Sequence, residues 1–356
     1  MDTREGKYAM NREERRATGE HKKQTYIMSN LVYQVPGNSM YVEFFLNNHL
    51  KSLLDPTNLP ALRDRYKLEF CILTDDESLM QISRHPNFMQ LSAIAEIHII
   101  KIGWPADIDR FSARYQLLVQ MFHQVRQVAV EKNAWMSTWV ADLVFAKHSI
   151  GKMLRRLEEG HDAVFNVPIR GAVDSVNNVL AGMPGAPDDL TLFELAYRNL
   201  HHLWVASHWD SPLFSKFPYS MLWNSGSGLI GHNFGITPIV FKPIPALESV
   251  KGVIDADVPS KFENPFWATD WTDAAVAGLE PLSNGHYPPF LVHRASPEWV
   301  ADWARKSTMP EQSAYLDRAL YYPCKSIVNA PELAAQARET VLDIKARLGD
   351  RECATK

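Results

Sequence analysis

Asp255-Ala256-Asp257 closes an apolar segment of the chain. Two carboxylates one residue apart in extended chain lie on one side, and both can reach one divalent cation, Mn or Mg. The cation can then bridge the phosphates of a nucleotide. The same triplet also occurs in plain solvated loops. Gly226-Ser227-Gly228-Leu229-Ile230-Gly231 matches the G-x-G-x-x-G letters of a dinucleotide loop. That chemistry needs a helix straight after it, and His232-Asn233-Phe234-Gly235 does not start one. A loop lying close to a ligand fits better. The serine-nucleophile pattern fails at the same place, because Trp223 and Ser225 stand where its glycine is needed. His201, His202, His208, Asp210 and His232 hold ligand types for a transition metal, but H-E-x-x-H is absent. Hydrogen-bonded histidines along a helix explain them as well. Lys147 and His148 sit in a polar turn, where a point charge and a donor can meet phosphate oxygens. Exposed turn residues look the same.

The elements around these residues follow from their periodicity. Ser29 to Val35 reads as a first strand, closed by Pro36-Gly37-Asn38, and Ser39 can cap a helix through Leu53. Lys67 to Leu73 and Ile94 to Ile102 read as strands, and Thr74-Asp75-Asp76-Glu77 opens a helix with acid in its first turn. Ser112 to Lys132 keeps the three-four spacing of one buried face. After it come Ala141 to Phe145 as a strand, the turn Ala146-Lys147-His148-Ser149, a helix to Glu159 and a strand from Ala163 to Pro168. Strand and helix alternate, which predicts a mainly parallel sheet with helices on its faces. A strand stopping at a polar turn before a helix is where such proteins bind ligands, so the Ala146–Ser149 turn is expected at the floor of a cleft. A helix from Asp189 to about His208 would put His201 and His208 on one face. Ile236 to Phe241 and Val250 to Ile254 read as strands, and Trp299 to Arg305 and Ala330 to Leu348 as helices.

With 37 basic and 41 acidic residues in 356, the chain carries no basic excess, so nucleic acid is not an expected partner. No apolar run is long enough to span a membrane, and the N-terminus lacks the apolar core of a secretory signal. Cys71, Cys324 and Cys353 show neither metal spacing nor a disulfide framework, which fits a reducing, cytoplasmic compartment. Residues 1–24 are rich in charge and poor in large apolar groups, the pattern of a disordered tail. Residues 25–356 read as a single unit. It has a nucleotide-binding half over 25–170, a less regular acceptor-side half over 171–330, and a C-terminal helix over 330–350.

Leu53-Leu54-Asp55-Pro56-Thr57-Asn58-Leu59-Pro60-Ala61-Leu62, followed by Phe70-Cys71-Ile72-Leu73-Thr74-Asp75-Asp76-Glu77, resembles the opening of a family of bacterial glycosyltransferase-like proteins of GT-A type, in the nucleotide-diphospho-sugar transferase superfamily. Ala141-Asp142-Leu143-Val144-Phe145, the Gly160–Arg170 strand, Gly231 to Phe241 and Ile254-Asp255-Ala256-Asp257 extend the likeness over roughly residues 29–325. The resemblance implies a three-layer α/β/α sandwich with a mixed, mostly parallel sheet. It implies a nucleotide-sugar donor, with Thr74 and Asp75 near the base or ribose and the Ala146–Ser149 turn near the diphosphate. At that turn the chain departs from the family, whose acidic residues are replaced by Lys147 and His148. Thr237-Pro238 likewise stands where the family has His-Pro.

The resulting expectation is a glycosyltransferase acting on an unknown acceptor. Asp75 serves the nucleotide, Lys147 and His148 the diphosphate, Asp255 and Asp257 the donor or a metal, and His232 the acceptor side. A non-catalytic member of the same fold that binds nucleotide, glycan or protein is the alternative. A metal-dependent hydrolase using the histidines and Asp255/Asp257 is a third reading.

Overall fold

The computed structural model describes residues 23–34, 40–104, 109–110, 113–251, 254–282, 294–323 and 331–349. The expected tail up to residue 22, the Pro36-Gly37-Asn38 turn, the Ser39 cap, Ser112, Ala330, Cys324 and Cys353 lie outside them.

Seven strands form the central sheet. β1 (Gln24–Leu31), β2 (Tyr66–Thr74), β3 (Glu96–Lys101) and β4 (Trp135–Val140) run parallel in the order β3-β2-β1-β4. Beyond β4 lie the antiparallel β10 (Thr237–Phe241), then β6 (Ala163–Asn166) and β11 (Phe266–Trp267). β1 and β2 read as near-continuous apolar runs because both their faces are covered. Tyr26, Met28, Phe70, Ile72 and Trp139 point into one core, with Leu50, Leu53 and Met153. Ile27, Cys71, Leu73 and Met136 point into the other, under the helix α1 (Arg114–Lys132). Met121, Phe122, Val125 and Ala129 are the wholly buried face of that helix. The alternation of side chains across the sheet thus sets up three layers. β3 is the edge, and its Glu96, His98 and Lys101 leave it unsuited to further pairing.

Two smaller sheets complete the fold. β5 (Leu143–Phe145), β7 (Ile169–Ala172) and β12 (Val276–Glu280) form one, in the order β5-β12-β7. β8 (Ser220–Asn224), β9 (Leu229–Asn233) and β13 (Leu320–Tyr322) form the other, in the order β13-β9-β8. The second packs Met221, Trp223 and Ile230 against Val300 and Ala304 of α2 (Pro297–Ser307) and Val341 and Ile344 of α3 (Pro331–Leu348).

Several elements differ from the sequence reading. The central strand β4 was not expected, and the expected strand 141–145 begins only at Leu143, after a turn at Ala141-Asp142. Trp135-Met136-Ser137-Thr138-Trp139-Val140 lacks alternation because it is buried on both faces. The first strand starts at Gln24, five residues before Ser29. The helix expected from Asp189 to His208 breaks after Arg198, and His201 caps a second short helix over His202–Ala206 by accepting from the Leu203 N–H. Gly226-Ser227-Gly228 is the tip of the β8–β9 hairpin, where Gly226 takes φ 84°. Only glycine adopts that backbone freely, so the G-x-G letters are turn chemistry. Of the strand expected over Val250 to Ile254, residues 252–253 lie outside the described residues, and Val250, Lys251 and Ile254 are not in a strand. A 3-10 turn over Pro245–Ser249 precedes it, and Ile254–Asp257 is a single helical turn.

Candidate functional site

A cleft of about 600 Å3 opens at the carboxyl ends of β1 and β4. Its cause is a split in the sheet. β10 pairs with β4 only at Phe241↔Met136, and the strands part toward Thr237 and Val140. On its other side β10 pairs with β6, with a register shift between Pro238 and Val240, as expected where proline cannot donate to the ladder. The Trp139 indole bridges the gap by donating to the Ile239 carbonyl at 2.9 Å. Thr138 to Leu143 lines one wall, Thr237 and Pro238 the opposite one, and Tyr33, Tyr41 and Tyr115 add aromatic surface.

Asp142, Arg170, Asp255 and Glu280 bring charge into this cleft from four separate elements. Asp142 lies in the turn between β4 and β5, which the Leu279 N–H holds through the Asp142 carbonyl at 2.9 Å. Arg170 of β7 stands beside Gly278 in the parallel register with β12, and Glu280 lies two residues further along β12. Arg170 and Glu280 form an ion pair. The second Glu280 oxygen, Oε2, is buried and has no partner among the described residues, nor has Asp142 Oδ1. Such buried acceptors are costly in a folded protein unless a water or a ligand answers them. Burial raises the Asp142 carboxyl above its ordinary value, against the pull of Arg170. Burial raises Asp255 too, opposed by Arg170 and by a hydrogen bond from Thr237. Tyr33 in the wall is pushed up to about 12, chiefly by burial. Lys251 and Arg114 supply further positive charge to the lining.

The clamp behind the floor is His49. It is fully buried in a π-helical segment over Phe45–His49. Its Nδ1 meets the Leu143 carbonyl at 2.7 Å and its Nε2 faces Asn30 Oδ1 at 3.3 Å. Asn30 donates to the Val140 carbonyl at 3.2 Å. β1 and the floor turn are thereby fixed to one imidazole, which burial lowers to about 4.

Of the residues given a site role from sequence, Asp255 alone lines the cleft, and Asp142, Arg170, Thr237 and Pro238, quoted only for the resemblance, line it too. Asp257 does not share its position. The triplet is helical rather than extended, and side chains two apart on a helix do not face each other. Asp257 instead pairs with Lys261 at 3.0 Å and accepts from the Lys251 N–H at 3.1 Å. Thr74 is buried. Asp75 caps the helix Asp76–Ser83 through the Ser78 N–H at 2.9 Å, and also accepts from Trp104 and Arg110. Tyr33 packs on Trp104 with 5.1 Å between ring centroids, so Asp75 stands one layer behind the cleft wall.

Lys147 and His148 are exposed and outside the lining. Their turn is a knot of backbone bonds. Lys147 N–H donates to the Pro187 carbonyl, His148 N–H to Thr57 Oγ1, and Asn58 to the Ala146 carbonyl. Asp55 beside it accepts from Thr57 and from the Ala186 N–H, and a Cβ on Gly185 would lie 2.4 Å from its carboxylate. His232 is buried in β9 and bonds the Leu316 carbonyl at 2.8 Å, away from the cleft. Neither it nor His201 and His208 joins a cluster of ligands. Among the described residues, the one trio of ligand atoms within 4.8 Å of one another is Glu69, Glu96 and His98, on β2 and β3.

Sequence reasoning missed Asp142, Arg170 and Glu280. A signal was present: each is a lone charged residue inside an otherwise apolar stretch, Val140-Ala141-Asp142-Leu143, Ile169-Arg170-Gly171 and Gly278-Leu279-Glu280. Charge in an apolar strand is expensive, so its retention marks either a pair or a site.

No family model matches the chain, and no curated protein matches it. Among solved structures, a mannosyltransferase from Pyrobaculum calidifontis, determined with GDP-Man and Mn2+, is 13% identical with a TM-score of 0.36, covering 98% of this chain and 83% of that one. Apo mouse xyloside xylosyltransferase 1 is 11% identical with a TM-score of 0.26, covering 42% of this chain and 52% of its own. Both are glycosyltransferases. At these TM-scores neither likeness carries an argument about the activity of this chain.

Proposed function

We propose that the protein transfers a sugar from a nucleotide-sugar donor to an acceptor hydroxyl in the cleft between β4 and β10. The observation that carries this reading is the split at the carboxyl ends of parallel strands, with unpartnered carboxylate oxygens and tyrosines around it. Asp142 and Asp255 are carboxyls in the cleft wall, raised by burial above the ordinary carboxylate value, and are the candidate general bases. One of them takes the proton of the acceptor hydroxyl. The acceptor oxygen bonds to the anomeric carbon, and the nucleoside diphosphate leaves with the bonding electron pair. Lys251 and Arg114 offer positive charge to that leaving group.

A divalent cation is not an obvious fit to these residues. No three ligand atoms of the cleft, among the described residues, gather within 4.8 Å. The guanidinium of Arg170 already faces its carboxylates. No step here is routed through a metal.

Calorimetry with a panel of nucleoside diphosphates and nucleotide sugars, followed by a transfer assay, tests the reading. Binding of at least one, and loss of transfer on Asp142→Asn, are expected. Absence of any nucleotide binding at millimolar concentration would sink it.

A further inference from the structure

Around Arg170 the cleft holds more acid than base. Glu280 pairs with the guanidinium, and the same charge acts on Asp142 and Asp255. With Glu280 ionised against Arg170, each further carboxyl that ionises adds net negative charge to the group. Arg170 cannot serve an incoming anion well, because Glu280 already engages it. What the group lacks is donors. Glu280 is only 4% exposed, yet its Oε2 has no partner among the described residues, and Asp142 Oδ1 is in the same state. A ligand that fills this place must bring hydrogen-bond donors and must not bring a carboxylate.

Resting on the glycosyl-transfer reading, we infer that the Asp142–Arg170–Asp255–Glu280 group is a subsite for the hydroxyls of an uncharged sugar ring, and that it rejects sugars carrying a carboxylate. Ring hydroxyls donate to carboxylate oxygens of the group, the kind of partner the two unpaired acceptors lack. Carboxylate acceptors make the stronger, charge-assisted class of hydrogen bond to such donors. A hexuronate would instead place its carboxylate against these acids in a partly desolvated site, where like charges repel. Nearby tyrosine faces suit the apolar side of the same ring: Tyr33 and Tyr41 line the cleft, and Tyr115 is 49% exposed there.

The test compares hexose and hexuronate conjugates of one nucleoside diphosphate, chosen as the one that binds by itself. Affinities are measured by calorimetry on the full chain, on Asp142→Asn and on Glu280→Gln, each checked for folding by thermal melting. The hexose conjugate is expected to bind tighter by about tenfold or more, the factor a single modest repulsion produces. Either variant should shrink that ratio. Two variants are used because Glu280→Gln also weakens the Arg170 pair. Equal affinities, or a preference for the hexuronate, overturn the inference and leave glycosyl transfer standing. An undiminished preference in both folded variants overturns it as well, by placing the discrimination elsewhere. Failure of every nucleotide to bind overturns the functional reading and the subsite with it.

Discussion

Two groups of carboxylates in this molecule look alike by composition and behave oppositely. Glu69 on β2 is fully buried, as a ligand-binding acid would be. Burial alone would raise its carboxyl, but hydrogen bonds from Lys132 and Lys67 bring it below its ordinary value. It accepts from Lys132 at 2.6 Å, Lys67 at 2.9 Å and His98 at 3.1 Å, and Lys67 also reaches Glu96. Every oxygen there is answered. Asp142 and Glu280 in the cleft keep unanswered oxygens, and Asp142 is raised rather than lowered. The first arrangement holds an edge of the sheet together. The second leaves buried acceptors unpaired, at a cost in stability. The lesson is that the completeness of pairing separates a structural acid cluster from a binding one, whereas acid count and burial do not.

Breaking the cleft group is expected to have the largest effect. Arg170→Ala leaves three acids facing each other without their cation, so ligand binding should vanish. Stability should fall by about 2 kcal/mol, a buried-pair cost reduced because the arginine side chain is 39% exposed. Denaturant unfolding together with calorimetry measures both, and a variant that binds its ligand normally would contradict the assignment.

A paired comparison of smaller size turns on sign. Glu69→Gln should cost about 1–2 kcal/mol at neutral pH, since its lysines are partly exposed and screened. Asp142→Asn should instead stabilise, on the order of 0.5–2 kcal/mol, while harming function. The pH dependence separates them. The folded value of Glu69 lies below its ordinary 4.5, so its stabilisation is present above pH 4.5 and is lost as pH falls through the folded value. The folded values of Asp142 and Asp255 lie above 3.8, so the folded state holds their protons longer and their contribution worsens as pH rises from there. Melting temperatures across acid pH for wild type and both variants should show opposite slopes. Parallel curves would erase the distinction drawn here.

Least of all should change on Lys147→Ala. Its side chain is exposed and acts on Asp55 and Asp188 only through screened charge, while its backbone N–H holds the turn, so stability should move by less than about 0.5 kcal/mol. Nucleotide affinity should stay within about twofold, a free-energy change of well under 1 kcal/mol. A tenfold loss would return the diphosphate to the Ala146–Ser149 turn, and so tip the comparison away from the Arg170 group.

Most of the α/β architecture was legible in the chain itself. The three-four spacing of Met121, Phe122, Val125 and Ala129 predicts α1 and its buried face, and apolar runs mark β2, β3 and β10. These are local properties, fixed by period and turn chemistry over a few residues. β4 was missed because burial on both faces erases alternation, and Asp255-Ala256-Asp257 was misjudged because helix or strand there depends on what packs around it. The sequence by itself determined that strands and helices alternate and that no apolar run reaches membrane-spanning length, and it picked out Asp255, which lies in the cleft lining. Tertiary structure alone decided the site. Asp142, Arg170, Asp255 and Glu280 are spread over nearly 140 positions of sequence. They meet because β4 parts from β10 and because β12 lies between β5 and β7. No local pattern encodes the pairing of distant strands, and it is that pairing which leaves two carboxylate oxygens without a partner.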